Sequence, residues 1–426
     1  MTSMIIDDKE TYPFKFNNLK SEFIPWLKEA DNRIFSLAAG DRIAPMAEKI
    51  MQLGFGKILF AANELGADID KCKPFVIFAP DGTCTYNKER LQRGFTYGSL
   101  IDAEFDGLMA AQNAMPNGCG FSLYELDDFK DDENLQKRAK TISDNISEDH
   151  AKQLGKGNHF ISIFHVRDRL SGEDTGRRFI IVHASGHDVD KAPMYNQEWL
   201  KDEDGYNKIA TPHGPIWLLE SDAKKMYINE YQKFEKMNSS GREKIMKEFF
   251  SEIKFELISD TTHQGLTPTG KSMRLGIQLS EEDLIPVAFN AEEGATVVKV
   301  KPNLNKQYLE TWPYAEKSER YGYNDIFTEL DILPHGSGYE FLSPLKEFTV
   351  NLNNEGLENF SFKIVREGSI IQQSATYFKE IREYMSYKRK APIMEKIYEA
   401  KLGEHFYDMT TFFQIHPKVS IPGGQY

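Results

Sequence analysis

Apolar positions along this chain follow two spacings, and each predicts a different element. Met46, Ile50 and Leu53 lie on one face of a helical register that starts at Pro45, so a helix is expected there, interrupted at Gly54. Val76-Ile77-Phe78 before Pro80-Asp81-Gly82 predicts a short strand and a turn. The middle of the chain reads as three mostly buried strands, over 160–166, 178–182 and 255–258. Between them, Tyr227, Tyr231 and Phe234 form one apolar stripe, and Ile245, Phe249 and Ile253 form another. Ser240 with Glu243 has capping-box spacing, so a helical hairpin over about 222–254 is expected, its second helix starting there. Further strands are expected over 295–300, 348–352 and 360–365. A helical C-terminal region follows over about 374–414, where Tyr377, Ile381 and Tyr384 share a face and Pro392 marks a second start. No repeat or low-complexity linker divides the pattern. The reading is one large mixed α/β domain over 1–426 with a helical insert.

Composition narrows the class. Hydrophobic residues are 40% of the 426, aromatics 12% and charged residues 27%, which is globular composition. A formal net charge of −13 argues against a protein that coats nucleic acid non-specifically. It leaves room for a small basic groove, or for a site where metal ions supply the positive charge. Cys72, Cys84 and Cys119 are too few for a disulfide framework. No leader pattern occupies residues 1–16, and no apolar run approaches the roughly 20 residues that cross a bilayer. A cytoplasmic protein without a membrane segment is expected.

The chemistry-bearing residues lie at strand ends and beside glycines. His159 is in Asn158-His159-Phe160, His183 ends the strand over 178–182, His263 follows Asp260-Thr261-Thr262, and His335 opens His335-Gly336-Ser337-Gly338. Cys119 lies between Gly118 and Gly120. Any one of these reads more readily as a hydrogen-bonded structural residue or a small buried thiol. Their spacings of 40, 24, 80 and 72 residues fit no local zinc motif, so a shared site must be assembled by the tertiary fold. A thiolate with imidazoles suits Mn, Fe, Co or Zn rather than Mg or Ca. Such ions would neutralise a phosphate and act as Lewis acids at phosphorus. The small neighbours of His335 would let a phosphoryl group approach its imidazole, which suggests a nucleophile; a plain turn is the competing reading.

These five contexts, in this order, resemble the RtcB family of RNA ligases. The segments that carry the likeness are Gly118-Cys119-Gly120, Gly157-Asn158-His159-Phe160, Val182-His183, Asp260-Thr261-Thr262-His263 and His335-Gly336-Ser337-Gly338, with Gly294-Ala295-Thr296 between the last two. The likeness runs from about Asn117 to Gly338 and is weak over the first hundred residues. It implies that Cys119 bridges two Mn ions, with His183 and His263 on one and His159 on the other. It implies that GTP guanylylates His335 with release of pyrophosphate. The guanylate then passes to an RNA 3′-phosphate, formed from a 2′,3′-cyclic phosphate, and a 5′-hydroxyl displaces GMP. Asn158, Gln264, Gly336, Ser337, Gly338 and Lys418 would contact the nucleotide. RNA, such as broken or intron-containing tRNA, would be the partner, and an archease-type activator is compatible with the family.

The chain also departs from the family pattern. Pro116 stands where the family has a metal-ligating Asp, with Asn117 beside it, and Ser162 replaces a Glu. Gln264 replaces an Asn, Glu292-Glu293 replace an Arg-Lys pair, Tyr339 replaces an Arg, and Pro422 aligns with a Lys. Two further readings therefore stand beside the ligase. One is a metal-dependent nucleotidyltransferase or phosphoesterase with another substrate, favoured by the acidic pair. The other is an inactive RNA- or protein-binding relative, favoured by the lost carboxylate. Lys388-Arg389-Lys390 is the densest basic cluster near the C-terminus and reads as a solvated face. His416 is a weak candidate for the nucleotide site, and His187 for the metal site.

Overall fold

The computed structural model describes residues 4–6, 12–38, 42–110, 113–126, 132–155, 158–186, 192–279, 282–301 and 304–416. Helix and strand are nearly balanced, 35% and 36%, which makes this a mixed α/β structure with several sheets. The largest sheet has seven strands: β1 (Gly120–Leu126), β2 (Phe160–Asp168), β3 (Asp174–Ala184), β4 (Phe255–Thr262), β5 (Leu284–Ala288), β6 (Ala295–Val300) and β7 (Gly403–Ile415). Their order is β4-β1-β3-β2-β7-β6-β5, antiparallel throughout, and the sheet curls into a nearly closed barrel.

Period-two alternation gives this sheet two apolar faces. Phe121, Leu123, Phe160, Phe164 and Ile181 pack on one side with Val297 and Met409. Tyr124, Ile161, Ile163, Ile180 and Val182 pack on the other against Ile245, Met246 and Phe249 of a long helix. Burial on both faces is why Phe160–Phe164 and Phe179–Val182 read as near-continuous apolar runs, while Phe255–Ile258 is less buried than its apolar residues suggest, with Leu257 exposed.

The structure corrects four expectations. Gly54 does not interrupt the first helix; α1 runs Ala44–Glu64 with proline in its first turn. A Cβ at Gly54 would sit 2.6 Å from the Gly94 carbonyl oxygen, so this glycine admits a neighbouring backbone. Pro80-Asp81-Gly82 is no turn: the strand spans Phe75–Thr83, and its pairing with Tyr97–Asp102 shifts register between Phe78 and Thr83. Proline has no N–H to donate, so the ladder slips past it and the strand continues.

The helical hairpin is one helix, α2 (Ser221–Phe249), and Ser240 lies in its interior. The buried positions Tyr227, Tyr231, Phe234, Asn238, Arg242, Ile245 and Phe249 advance by three or four residues without a break. Asn238 and Arg242 are polar, which makes one stripe look like two. Nor is 374–414 mainly helical. A 3₁₀ segment (Phe378–Tyr384) and a short strand (Met385–Tyr387) lead to α3 (Lys390–Glu399), and β7 then takes a place inside the large sheet. The strands expected over 160–166, 178–182, 255–258, 295–300, 348–352 and 360–365 all lie within observed strands. No described helix is long and apolar enough to cross a membrane.

Candidate metal centre

Strand register brings the separated motifs together. Gly120, at the start of β1, pairs with Thr262 at the end of β4, which sets Cys119 beside His263. Phe121 and Phe160 both pair with His183, so the end of β3 lies between Cys119 and His159. Backbone bonds fix the turn: His263 N donates to the Cys119 carbonyl at 2.9 Å, and Gly118 N to that of Gln264 at 2.7 Å. Gly118 has φ +67 and lies against Asn238 and Phe234 of α2, leaving no room for a side chain.

The result is a buried cluster. Cys119 Sγ lies 3.1 Å from His159 Nε2 and 2.9 Å from His183 Nε2. Ligand atoms of Cys119, His183 and His263 all fall within 4.8 Å of one another, and the three residues are buried. One tetrahedral ion with bonds of about 2.0–2.3 Å can bridge such a group after small side-chain movements. Burial, reinforced by mutual repulsion among imidazoles, holds His183 and His263 well below the usual histidine range, so both are neutral bases. Both ring nitrogens of His263 are buried without a hydrogen-bond partner among the described residues. Orphaned imidazole nitrogens beside a thiol are costly unless they ligate something. The Cys119–His183–His263 group can hold a metal ion.

His335 borders this cluster. Its ring centre is 4.9 Å from that of His263 and 5.0 Å from that of Tyr97. Its Nδ1 lies 2.6 Å from Oδ2 of Asp81, a carboxylate with no exposure to solvent. This bond orients the ring and leaves Nε2 without that partner. Asp81 was missed because Pro-Asp-Gly reads as a turn; a lone carboxylate inside an apolar strand was the available signal.

The other site candidates separate on geometry. Gln264 is tied at both ends: its Oε1 accepts from Arg90 at 3.1 Å and its Nε2 donates to the Tyr97 hydroxyl at 2.5 Å. A Cβ on Gly336 would lie 1.7 Å from the Ala288 carbonyl oxygen, and one on Gly338 would lie 2.2 Å from that of Asp81. These glycines make room for the protein's own backbone, which is a different reason from the one read in the sequence. Ser337 Oγ donates to the Lys388 carbonyl at 2.6 Å, and Ser337 N to the Ala288 carbonyl at 2.9 Å. Asn158 is exposed beside His159. His416 Nδ1 lies 3.3 Å from the His159 carbonyl oxygen, at the edge of the cluster. Gly157, His187, Lys418 and Pro422 lie outside the described residues.

At three of the departures from the RtcB pattern named above, side chains have structural partners, whereas Ser162 Oγ is buried with no hydrogen-bond partner among the described residues. Asn117 Oδ1 accepts from Cys119 N at 3.0 Å. Glu293 accepts from Lys390 N at 3.1 Å. Tyr339 stacks between Tyr86 and Tyr387, with ring centres 4.0 and 5.0 Å away. The basic cluster is a solvated face only at Arg389, which is exposed: Lys388 is buried, with its ammonium on the Gly82 carbonyl, and Lys390 pairs with Asp408.

Behind the sheet, Arg242 of α2 is fully buried and pairs with Asp260 at 2.8 Å. Its Nη1 is 2.8 Å from where a Gly120 Cβ would sit, so it supports the strand that carries Cys119. Burial alone would raise the Asp260 carboxyl, but Arg242, Ser122 and Ser239 hold it below the usual aspartate range. No protein-family model matches the chain, and no curated protein is similar enough to count as a relative.

Proposed function

We propose that this protein is a Mn- and GTP-dependent RNA ligase of the RtcB type, joining RNA 3′-phosphate or 2′,3′-cyclic phosphate ends to 5′-hydroxyl ends. The observation that supports this most is convergence. Residues 119, 159, 183, 263 and 335, scattered over more than half the chain, meet in one buried cluster. Five unrelated structural residues have no reason to do so.

Cys119, His183 and His263 would hold one Mn ion, and His159 with the shared Cys119 thiolate a second. Bound there, Mn supplies positive charge to phosphate oxygens in an acidic protein. Asp81 fixes the His335 ring through Nδ1, so the Nε2 lone pair forms the bond to the α-phosphorus of GTP. The bond to pyrophosphate breaks and its electron pair leaves with pyrophosphate. An oxygen of the RNA 3′-phosphate then bonds to that phosphorus and displaces His335. A 5′-hydroxyl oxygen finally bonds to the RNA 3′-phosphorus, losing its proton as GMP departs. Asn158, and Lys418 in the C-terminal segment, would bind the nucleotide. With Gln264 tied to Arg90 and Tyr97, its part would be to position Tyr97 against His335.

The test is an RNA with a 2′,3′-cyclic phosphate, its 5′-hydroxyl partner, Mn and GTP. The reading requires a joined product that retains the end phosphate and needs GTP. Hydrolysis of the phosphate end without joining would favour a phosphoesterase on this scaffold, the reading that Glu293, seated by α3, also supports.

A further inference from the structure

The start of β7 carries a second group of reactive side chains, at the opposite end of that strand from the metal centre. Ile415, at the far end, pairs with Ile161 beside His159, and the strand between Ile415 and His405 is about 30 Å long. His405 faces Tyr398 of the last turn of α3, whose hydroxyl oxygen lies 2.8 Å from His405 Nδ1. Across the ring, His405 Nε2 lies 3.1 Å from Asp408 Oδ1, at ion-pair distance although off the line of a straight hydrogen bond. Asp408 also takes the Lys390 ammonium and, at 3.4 Å, the Thr296 hydroxyl, so its place is fixed. Arg169, just past β2, has its guanidinium carbon 5.9 Å from the centre of the Tyr398 ring. Its Nη1 donates to the His405 carbonyl at 3.4 Å.

A hydroxyl, an imidazole and a carboxylate in line form the arrangement in which a base takes a nucleophile's proton while a third group orients the base. With Nδ1 accepting from the phenol, the ring carries its own proton on Nε2, toward Asp408. Tyr398 is 40% exposed, so water is available to its hydroxyl and burial does not force this bond. Partial burial holds the phenol above the usual tyrosine range, with Arg169 pulling it back and Asp408 adding to the rise. The phenol is therefore protonated at neutral pH, and its reactivity depends on the base beside it.

We propose that Tyr398 is a nucleophile that accepts acyl groups from activated esters, with His405 as its general base and Asp408 as the residue that positions the ring. Tyr398 Oη bonds to the carbonyl carbon, and the phenol proton passes to His405 Nδ1. The bond from that carbon to the leaving oxygen breaks, its electron pair goes with the oxygen, and His405 returns the proton there. The products are an ester of Tyr398 and the free alcohol or phenol. One exposed cation, Arg169, suits the single oxyanion of an acyl transfer, whereas a phosphoryl group would present several charged oxygens. This site needs nothing of the metal centre.

The test is reaction of the full chain with p-nitrophenyl acetate, read as p-nitrophenolate release and as acetylated peptides by mass spectrometry. The expected result is a burst of about one p-nitrophenolate per chain, with the acetyl group on Tyr398. Tyr398→Phe keeps the ring and is expected to lose the burst, and His405→Gln to slow it by about 10-fold or more. Asp408→Asn is expected to lower the rate constant at saturating ester by at least about 3-fold, with the half-saturating concentration unchanged. No burst from wild type, a burst that persists in Tyr398→Phe, or acetyl groups on lysines alone would overturn the site. An unchanged rate in His405→Gln would remove the base and the proposal with it. A change confined to the half-saturating concentration in Asp408→Asn would overturn its positioning role.

Discussion

Removing Asp260 isolates a guanidinium in the middle of the fold. Arg242 is fully buried on α2, and Asp260 meets it with Oδ1 2.9 Å from Nε and 2.8 Å from Nη2. The same carboxylate accepts from Ser239 Oγ at 2.5 Å and from Ser122 Oγ. In Asp260→Ala the arginine keeps its charge and loses its only ion-pair partner among the described residues. Breaking a buried pair from one side costs about 3–5 kcal/mol, most of it the penalty for the unpaired charge. The double variant Arg242→Met, Asp260→Ala leaves no such charge and is expected to regain at least about half of that loss. The assay is urea unfolding followed by circular dichroism, with midpoint and slope compared across wild type, both single variants and the double variant. A single variant within about 1 kcal/mol of wild type, or a double variant as unstable as the two singles added together, would refute this reasoning. The pH dependence has a definite sign. Because the folded Asp260 carboxyl lies below its unfolded value, its contribution is full above the ordinary aspartate range and is lost as pH falls through the folded value.

Other outcomes follow from the site. Cys119→Ala is expected to lower bound Mn per chain by elemental analysis, and unchanged metal would remove the thiolate from the centre. Asp81→Asn should slow any covalent labelling of His335 by roughly 10-fold or more at unchanged metal content, since it weakens the group that orients the ring. Gly336→Ala forces a methyl onto the Ala288 carbonyl, and a loss of about 1–3 kcal/mol in stability is expected by thermal melting, with His335 displaced.

The strands beside His159 and His183 were legible because burial on both faces writes Phe160–Phe164 and Phe179–Val182 as uninterrupted apolar runs, whereas β1, which follows Cys119, was not read as a strand. The five ligand-type residues were legible as candidates because each stands at a strand end or beside glycine. Their convergence was not, because it depends on which strand pairs with which, and only the register of β1 against β3 and β4 sets Cys119 beside His183 and His263. Period-based reading failed where a buried face includes polar residues. Asn238 and Arg242 split one stripe of α2 into two apparent helices, and Asp81 disguised a bulged strand as a turn. In β7, Tyr407-Asp408 and the aromatic run after Thr411 hide the alternation, because much of the strand is only partly buried.

The central claim is that His335 receives a nucleotidyl group beside a metal centre. The most direct measurement is incubation of the purified protein with Mn and α-labelled GTP, followed by a denaturing gel with and without acid treatment. The account predicts an acid-labile label on the wild-type chain, absent from His335→Ala although that variant retains its metal. A label that persists in His335→Ala, or no label with any nucleotide on metal-loaded wild type, would contradict it.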